Sequence, residues 1–211
     1  MCRCCRASNP ANAARSFPRP AQILNQAPVR ELLLARSRPA ILEYGAGNLR
    51  NALHLQKLGC DVTVIELELT RERFPSQYKS FERRGGTVLL SREGGPPQSP
   101  RRKCHLALAT FVLETICLPS DRQALLRHCL EQLAPGGALI LSARGLADVR
   151  AASGDKNRCS DGLITTQGTF IRSFSRRAIA GLLCSSGFGE VAFLHPTRNP
   201  TPRFVHVIAR P

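Results

Sequence analysis

The sequence predicts a three-layer α/β/α sandwich built around a seven-stranded, mostly parallel sheet. Three observations lead to it. Short β-branched or continuously apolar runs alternate with helix-length amphipathic segments, the pattern of repeated βα units. The first of those runs is followed by a Gly-x-Gly turn and then a helix, "ILEYGAGNLRNALHLQKLG". Near the end, "EVAFLH" and "FVHVIA" flank the Pro-containing turn "PTRNPTP" and read as an antiparallel terminal hairpin.

The elements follow in chain order. Residues 1–27 read as a disordered basic tail, since Arg3, Arg6, Arg15 and Arg19 precede the first acid, Glu31. A transit peptide has a similar composition, whereas secretion would need an apolar stretch that this segment lacks. The ordered domain is expected over 28–211. "PVRELLLARS" places Pro28 at a first helical position, with Val29, Leu32 and Leu33 on one face. "AILEY" is a short buried strand. In "NLRNALHLQKLG" Asn48 is the N-cap candidate, Leu49, Ala52 and Leu53 are spaced for a helix, and Gly59 is the stop. "DVTVIE" is the second strand, and the βαβ unit so formed implies a right-handed parallel crossover.

Residues 71–84 are polar, basic and helical in pattern, "GTVLLS" is a third strand, and "REGGPPQSPRRK" is a loop. "HLALAT" is continuously apolar, as a strand covered on both faces must be. Ser120 and Gln123 suggest a capping box before a helix that turns Leu125, Cys129, Leu130 and Leu133 inward. "PGG" turns the chain into the fifth strand, "ALILSA". Residues 145–172 are polar and long enough to form a lid or substrate segment. "SRRAIAGLLCSSG" is the last helix, stopped by Gly187.

Composition narrows the function. With 211 residues and 43% apolar content, one domain can bury a core without staples. No apolar run reaches the roughly 18 residues of a membrane span. Nine cysteines, an odd number scattered along the chain, fit reduced thiols in the cytoplasm better than a disulfide framework. The start "MCRCC" has no second Cys/His cluster at a zinc spacing, so no metal is expected. The net charge of +15 suits RNA, DNA or an acidic partner, but it is spread along the chain, and 5% aromatic content offers few stacking surfaces.

The Gly-x-Gly turn carries the chemistry. Glycines after a strand let backbone N–H groups approach a ligand. A dinucleotide fingerprint would continue Gly45 and Gly47 with a third glycine at Arg50, where the helix must pack tightly on the strand. Glu43, before the turn, can accept hydrogen bonds from a cationic amino-acid group, which no dinucleotide offers. Glu66, ending the second strand, is placed to take both hydroxyls of an adenosine ribose.

On these residues the chain resembles the class I S-adenosylmethionine-dependent methyltransferases, which share a Rossmann-like fold. "ILEYGAGNLRNALHL" is similar to their first motif, acid-x-Gly-x-Gly-x-Gly, and "VTVIE" to their second. "CHLALATFVLETI" and "LRHCLEQLAPGGALILSARG" are similar to the fourth-strand and fifth-strand segments. The resemblance implies S-adenosylmethionine as cofactor, held by Glu43, Tyr44, Gly45, Gly47, Asn48, Glu66, Leu67, Ser91, Ala109, Thr110 and Phe111. By the same resemblance Leu90, Ser91 and Arg92 lie beside the adenine. Two departures stand out: Leu49 replaces the third glycine and narrows the space near the methionine moiety, and His105 replaces the usual acid at the start of the fourth strand.

Catalytic candidates are few. Glu114 and Thr110 are the weak ones, Glu114 reading first as a solvated surface acid and His195 and His206 as strand-edge residues rather than bases. Arg144, Thr169 and Arg172 flank the expected lid and suit an anionic substrate. "ATFV" lacks the Pro-Pro-aromatic pattern of DNA amino methyltransferases, so a small-molecule acceptor is favoured, with RNA or a protein side chain open. Two rival readings remain at this stage: a catalytically silent cofactor binder, suggested by Leu49 and the missing base, and a nucleic-acid binder, suggested by the basic 71–103 segment.

Overall fold

A computed structural model describes residues 22–91, 98–152, 158–159, 161–165, 169–194 and 203–211. Arg92 and His195 lie outside the described residues, as does most of the expected tail. Order begins earlier than Pro28. A 3-10 turn, Gln22–Asn25, buries Ile23 and Leu24 under helix α1 (Ala27–Leu34), because these two apolar side chains complete the core beneath Val29 and Leu33.

Strand β1 (Ala40–Tyr44), helix α2 (Arg50–Lys57) and strand β2 (Asp61–Leu67) form the βαβ unit, with β1 and β2 parallel. The basic segment divides into α3 (Glu68–Arg73) and α4 (Pro75–Arg83), since Pro75 supplies a helix start and takes away a helical N–H. Next come β3 (Thr87–Ser91), β4 (Cys104–Thr110), α5 (Pro119–Gln132) and β5 (Leu133–Arg144). The last helix, α7 (Arg176–Ser185), and strands β9 (Glu190–Phe193) and β10 (Phe204–Arg210) close the fold. The sheet order is β3-β2-β1-β4-β5-β10-β9, parallel throughout except for β10, which runs antiparallel to both of its neighbours.

Alternate residues of the central strands feed two cores. Ile41, Val64, Leu106, Leu108 and Ile140 pack against α1, α2 and α4. Leu42, Ala107, Ala109, Leu139 and Leu141 pack against α5 and α7. The continuous apolar reading of "HLALAT" therefore holds in the structure. His105 is a structural residue at the amino end of β4, where its Nδ1 accepts the Ala40 N–H at 2.8 Å and so joins β4 to the start of β1.

Several local expectations are corrected. Asn48 is not the N-cap of α2; Leu49 is, in the left-handed conformation at φ 63°. The buried face of that helix is Asn51, Ala52 and Leu55 instead of a stripe through Leu53. Ser120 and Gln123 form no capping box: Pro119 opens α5, Ser120 bonds Asp121, and Gln123 bonds the Ser185 carbonyl. On α5, Leu126 and Cys129 are buried, while Leu125 and Leu130 are only half-buried. Pro135-Gly136-Gly137 is not a separate turn but lies within β5, at a register shift opposite Cys104–Leu106. Between Arg144 and α7 the chain has structure of its own: helix α6 (Leu146–Ala152) and a small antiparallel sheet of β6 (Arg158–Cys159), β7 (Gly162–Ile164) and β8 (Phe170–Ile171).

Leu49 sets two effects against each other. Its side chain is fully buried in the α1/α2 core, yet its backbone has the conformation that favours glycine. Both Leu49→Ala and Leu49→Gly should lower stability in chemical denaturation, by about 2–4 kcal/mol for the lost packing. The glycine variant should be the more stable of the two by about 1 kcal/mol, because it alone releases the left-handed strain. An alanine variant as stable as the glycine variant would show that this backbone carries no strain.

Candidate functional site

The carboxyl ends of β1, β2, β3 and β4 lie side by side, and the expected cofactor residues gather there. Tyr44 is paired in register with Ile65 and Ala109, and Leu67 with Ser91. The turn leaving β1 has Gly45 at φ 61° and Gly47 at φ 58°. A Cβ on Gly45 would come 2.9 Å from Val112 Cγ2, so the backbone conformation and the space both require glycine.

Glu43 is 1% exposed, and its Oε1 accepts from Asn51 Nδ2 at 2.8 Å. The same Asn51 amide nitrogen lies 3.1 Å from Thr110 Oγ1, which ties β1, α2 and β4 together at their functional ends. Glu43 Oε2 is buried with no hydrogen-bond partner. Burial pushes this carboxyl up to about 7, aided by the nearby negative Glu66 and opposed by Asn51 and Arg50.

Glu66 closes the turn from the other side. Its Oε2 accepts the Gly47 N–H at 2.6 Å and its Oε1 accepts its neighbour's N–H, from Leu67, at 2.8 Å. Burial raises this carboxyl from its ordinary value, against the lowering effect of those two N–H donors and of hydrogen bonds from the Thr70 and Tyr78 side chains. Tyr78, from α4, donates to the Gly47 carbonyl at 2.9 Å and stands 3.5 Å from Glu66 Oε2.

The remaining expected residues divide by where their side chains go. Ser91 Oγ is buried and without a partner at the end of β3, two strands from Glu43. Asn48 and Leu67 are half-buried at the rim, and Ala109 is fully buried. Tyr44 points away: its hydroxyl meets His128 Nδ1 at 2.5 Å on the α5 side, so only its backbone faces the turn. The Leu49 side chain likewise goes into the core beneath α2 and does not narrow the ligand side. Phe111 is left-handed at φ 60°, its N–H bound to the Ser142 carbonyl at 2.8 Å, and its ring lies edge-on 5.4 Å from Phe204. His206 is part of that aromatic group, with Nδ1 2.9 Å from Ser142 Oγ.

Glu114 is not a solvated surface acid. It is 0% exposed, and neither oxygen makes a hydrogen bond, although Arg144 Nε lies 3.5 Å from Oε1. Burial holds it up to about 8, with Arg144 lowering it and Asp148 raising it. Arg144 also pairs with Asp148, which holds Arg203 too. Of the three expected substrate residues, Arg144 is thus engaged by acids, and buried Thr169 shares a 2.6 Å hydroxyl contact with Thr165. Arg172 stacks on Phe174 and pairs with Asp161. The three do not converge on one point.

Asn51, Val112 and Tyr78 were not anticipated. A polar residue at the centre of an apolar helix stripe was the available signal for Asn51. Val112 and Tyr78 had none, because their contacts depend on how α4 and the turn after β4 dock.

An S-adenosyl cofactor fits what is present. The partnerless Glu43 oxygen suits an ammonium group, the Glu66 carboxylate at the end of β2 suits ribose hydroxyls, and the partnerless Ser91 hydroxyl suits an adenine edge. Among the described residues no His/Cys/Asp/Glu group could hold a metal ion, and no helix is long and apolar enough to cross a membrane.

Comparison with known proteins bears on the family and the fold. A family model described as a methyltransferase domain matches residues 17–191. No curated protein sequence matches the chain. The fold is similar to that of the CcbJ methyltransferase from Streptomyces caelestis, with TM-score 0.69 and 15% identity over 100% of this chain and 99% of that one. It is similar to a 1,6-didemethyltoxoflavin-N1-methyltransferase from Burkholderia thailandensis with bound 1,6-didemethyltoxoflavin and S-adenosylhomocysteine (TM-score 0.62, 17% identity, 90% and 78% covered). The glycopeptide N-methyltransferase MtfA complexed with S-adenosylmethionine is a third (TM-score 0.60, 18% identity, 86% and 85% covered).

The raised carboxyls of Glu43 and Glu114 make stability depend on pH. Each binds a proton more tightly in the folded chain than in the unfolded one, so each stabilises most below the ordinary carboxylate range. That contribution is lost as pH rises through about 7 for Glu43 and about 8 for Glu114. The melting temperature should therefore fall between pH 5 and 8. Glu114→Gln, which cannot ionise, should show a shallower fall in thermal unfolding, and a slope equal to the native one would refute the buried-carboxyl account.

Proposed function

The chain belongs to the methyltransferase-domain family, and from that membership we propose that it transfers a methyl group from S-adenosylmethionine to a small-molecule acceptor. The observation that carries this reading is the pair of partnerless buried oxygens at the carboxyl ends of β1 and β3, Glu43 Oε2 and Ser91 Oγ, on either side of β2. Groups of this kind are rare in a folded interior unless a ligand or water completes them. Two of the similar folds hold S-adenosylmethionine or S-adenosylhomocysteine, and one of these also holds a small-molecule acceptor.

When bound, the cofactor supplies an electrophilic methyl group on a sulfonium. The chain's own part is to hold and align. Glu43 Oε2 takes the ammonium group, with Asn51 fixing the carboxylate's orientation. Gly45 and Gly47 let the backbone come close, and Glu66 accepts the ribose hydroxyls while its N–H contacts keep it in place. Ser91 meets the adenine edge. The backbone of Ala109 and Thr110 faces the reacting methyl, and Phe111 and Val112 cover it from water. Alignment and water exclusion supply the rate, since in-line displacement needs the attacking atom held in place. Glu114, with no exposed surface, orients Arg144 and does not touch the acceptor in this arrangement. The +15 charge favours an acceptor with negative charge over a neutral one. The buried thiols of Cys60, Cys104 and Cys129 support a reducing, cytoplasmic setting.

A second reading is a member that binds cofactor without turnover. It is favoured by the enclosure of Glu114, which leaves no evident base, and by Val112 lying against Gly45. Labelled-methyl transfer to any member of a small-molecule pool would refute it.

Calorimetric titration should show micromolar binding of S-adenosylhomocysteine and none of NADH. Glu66→Ala should weaken that binding about 100-fold, the loss of two hydrogen bonds to a charged acceptor. Affinity should rise from pH 6 to pH 8, because the ammonium selects ionised Glu43, whose carboxyl in the free protein is held up to about 7. Unchanged affinity in Glu66→Ala, or a pH profile that persists in Glu43→Gln, would remove the corresponding residue from the cofactor site.

A further inference from the structure

A cleft of about 590 Å3 lies outside the cofactor site, between α5 and α7. Its floor is apolar, made by Pro119, Phe174, Ala178 and Leu182. Gly181 lies in that floor with nothing within 4 Å of where its Cβ would be. A cleft of this volume lies within the range of small-molecule sites.

One end of the cleft is strongly cationic. Arg122, Arg172 and Arg177 all line it. Arg122 is 1% exposed, its NH1 donating to the Ile116 and Cys117 carbonyls, and both Arg122 and Arg172 pair with the single carboxylate of Asp161. Burial and the neighbouring Arg172 pull Arg122 below the usual arginine range, against Asp161. Arg177 is exposed and makes no ion pair among the described residues. Three guanidinium groups thus meet one acid.

The helix adds to the imbalance. α7 begins at Arg176, is capped by the Ser175 hydroxyl on the Ala178 N–H, and has no acid in its first turn. Arg176 and Arg177 stand where the helix dipole favours anions and disfavours cations. Arg176 stacks on Phe193, but Arg177 at this helix end, beside buried Arg122 and half-buried Arg172 sharing one acid, is locally unfavourable unless an anion completes it.

We propose that the cleft between α5 and α7 is a binding site for a small amphipathic anion, a phosphate or carboxylate carried on an apolar body. Arg172 and Arg177 take the anionic group at the amino end of α7, and buried Arg122, by sharing Asp161 with Arg172, leaves that pair with a net positive charge. The apolar body lies along Ala178, Gly181 and Leu182. This site is independent of the cofactor reading, because none of its residues is assigned to the cofactor.

The test uses the full-length chain and three probes followed by calorimetry: phenyl phosphate, inorganic phosphate and phenol. Phenyl phosphate should bind at least about tenfold more tightly than either probe that has only one of its two features. Arg177→Ala, at an exposed position, should weaken it about tenfold. Gly181→Leu, which projects into open space, should abolish it while leaving the melting temperature and S-adenosylhomocysteine affinity unchanged. Absence of phenyl phosphate binding would overturn the proposal. So would binding that neither substitution changes, or inorganic phosphate binding as tightly as phenyl phosphate. Because no arm requires a methyl donor, these results are separate from the fate of the cofactor reading.

Discussion

The side-chain amide of Asn51 reaches two strand ends at once, Glu43 on β1 and Thr110 on β4. These strands are the centre of the sheet and are covered on both faces, so polar groups at their ends have little water to turn to. One nitrogen from α2 resolves part of that demand and fixes the helix over the Gly45–Gly47 turn. Glu66 does the same from β2, bonding the turn's own Gly47 N–H. The site is therefore formed by the groups needed to end four parallel strands without orphaned polar atoms. What those groups leave unfilled, Glu43 Oε2 and Ser91 Oγ, is what a ligand can use.

Much of the architecture was legible because it follows from short-range periodicity. The alternation in "DVTVIE" and the unbroken apolar run in "HLALAT" can hardly be anything but half-covered and fully covered strands. Glycines, prolines and acids at strand ends place the turn and the two carboxylates. Features that depend on packing across elements were not legible. Whether Asn48 or Leu49 starts α2, and whether Ser120 or Pro119 starts α5, turns on one residue of backbone geometry. Whether Glu114 faces solvent depends on how β5 and β8 pack against its turn, and no local pattern encodes that.

Leu49 shows why a motif can lose a residue and keep its shape. The backbone retains the left-handed turn a glycine would occupy, and the side chain compensates by filling the core below α2. The site thus tolerates the departure because the methyl-bearing side chain points away from the ligand surface. Phe111, the other left-handed non-glycine, is held by a hydrogen bond to the Ser142 carbonyl and by the Phe204 ring. Two such residues flanking one site are consistent with strain concentrated where geometry matters.

The sheet order has a consequence in time. β10 is the latest strand in the sequence, yet it lies inside the sheet, bonded to β5 on one side and β9 on the other. Until it is synthesised, β9 has no neighbour in the sheet, and β5 presents an unpaired edge that includes Ile140 and Leu141. During translation the nascent chain can close the β1–β5 half early, but it must carry that apolar edge exposed while the segment up to β10 emerges. The vulnerable interval for misassociation is thus set by the stretch between Arg144 and Phe204, the same stretch that builds the small sheet and the cationic cleft.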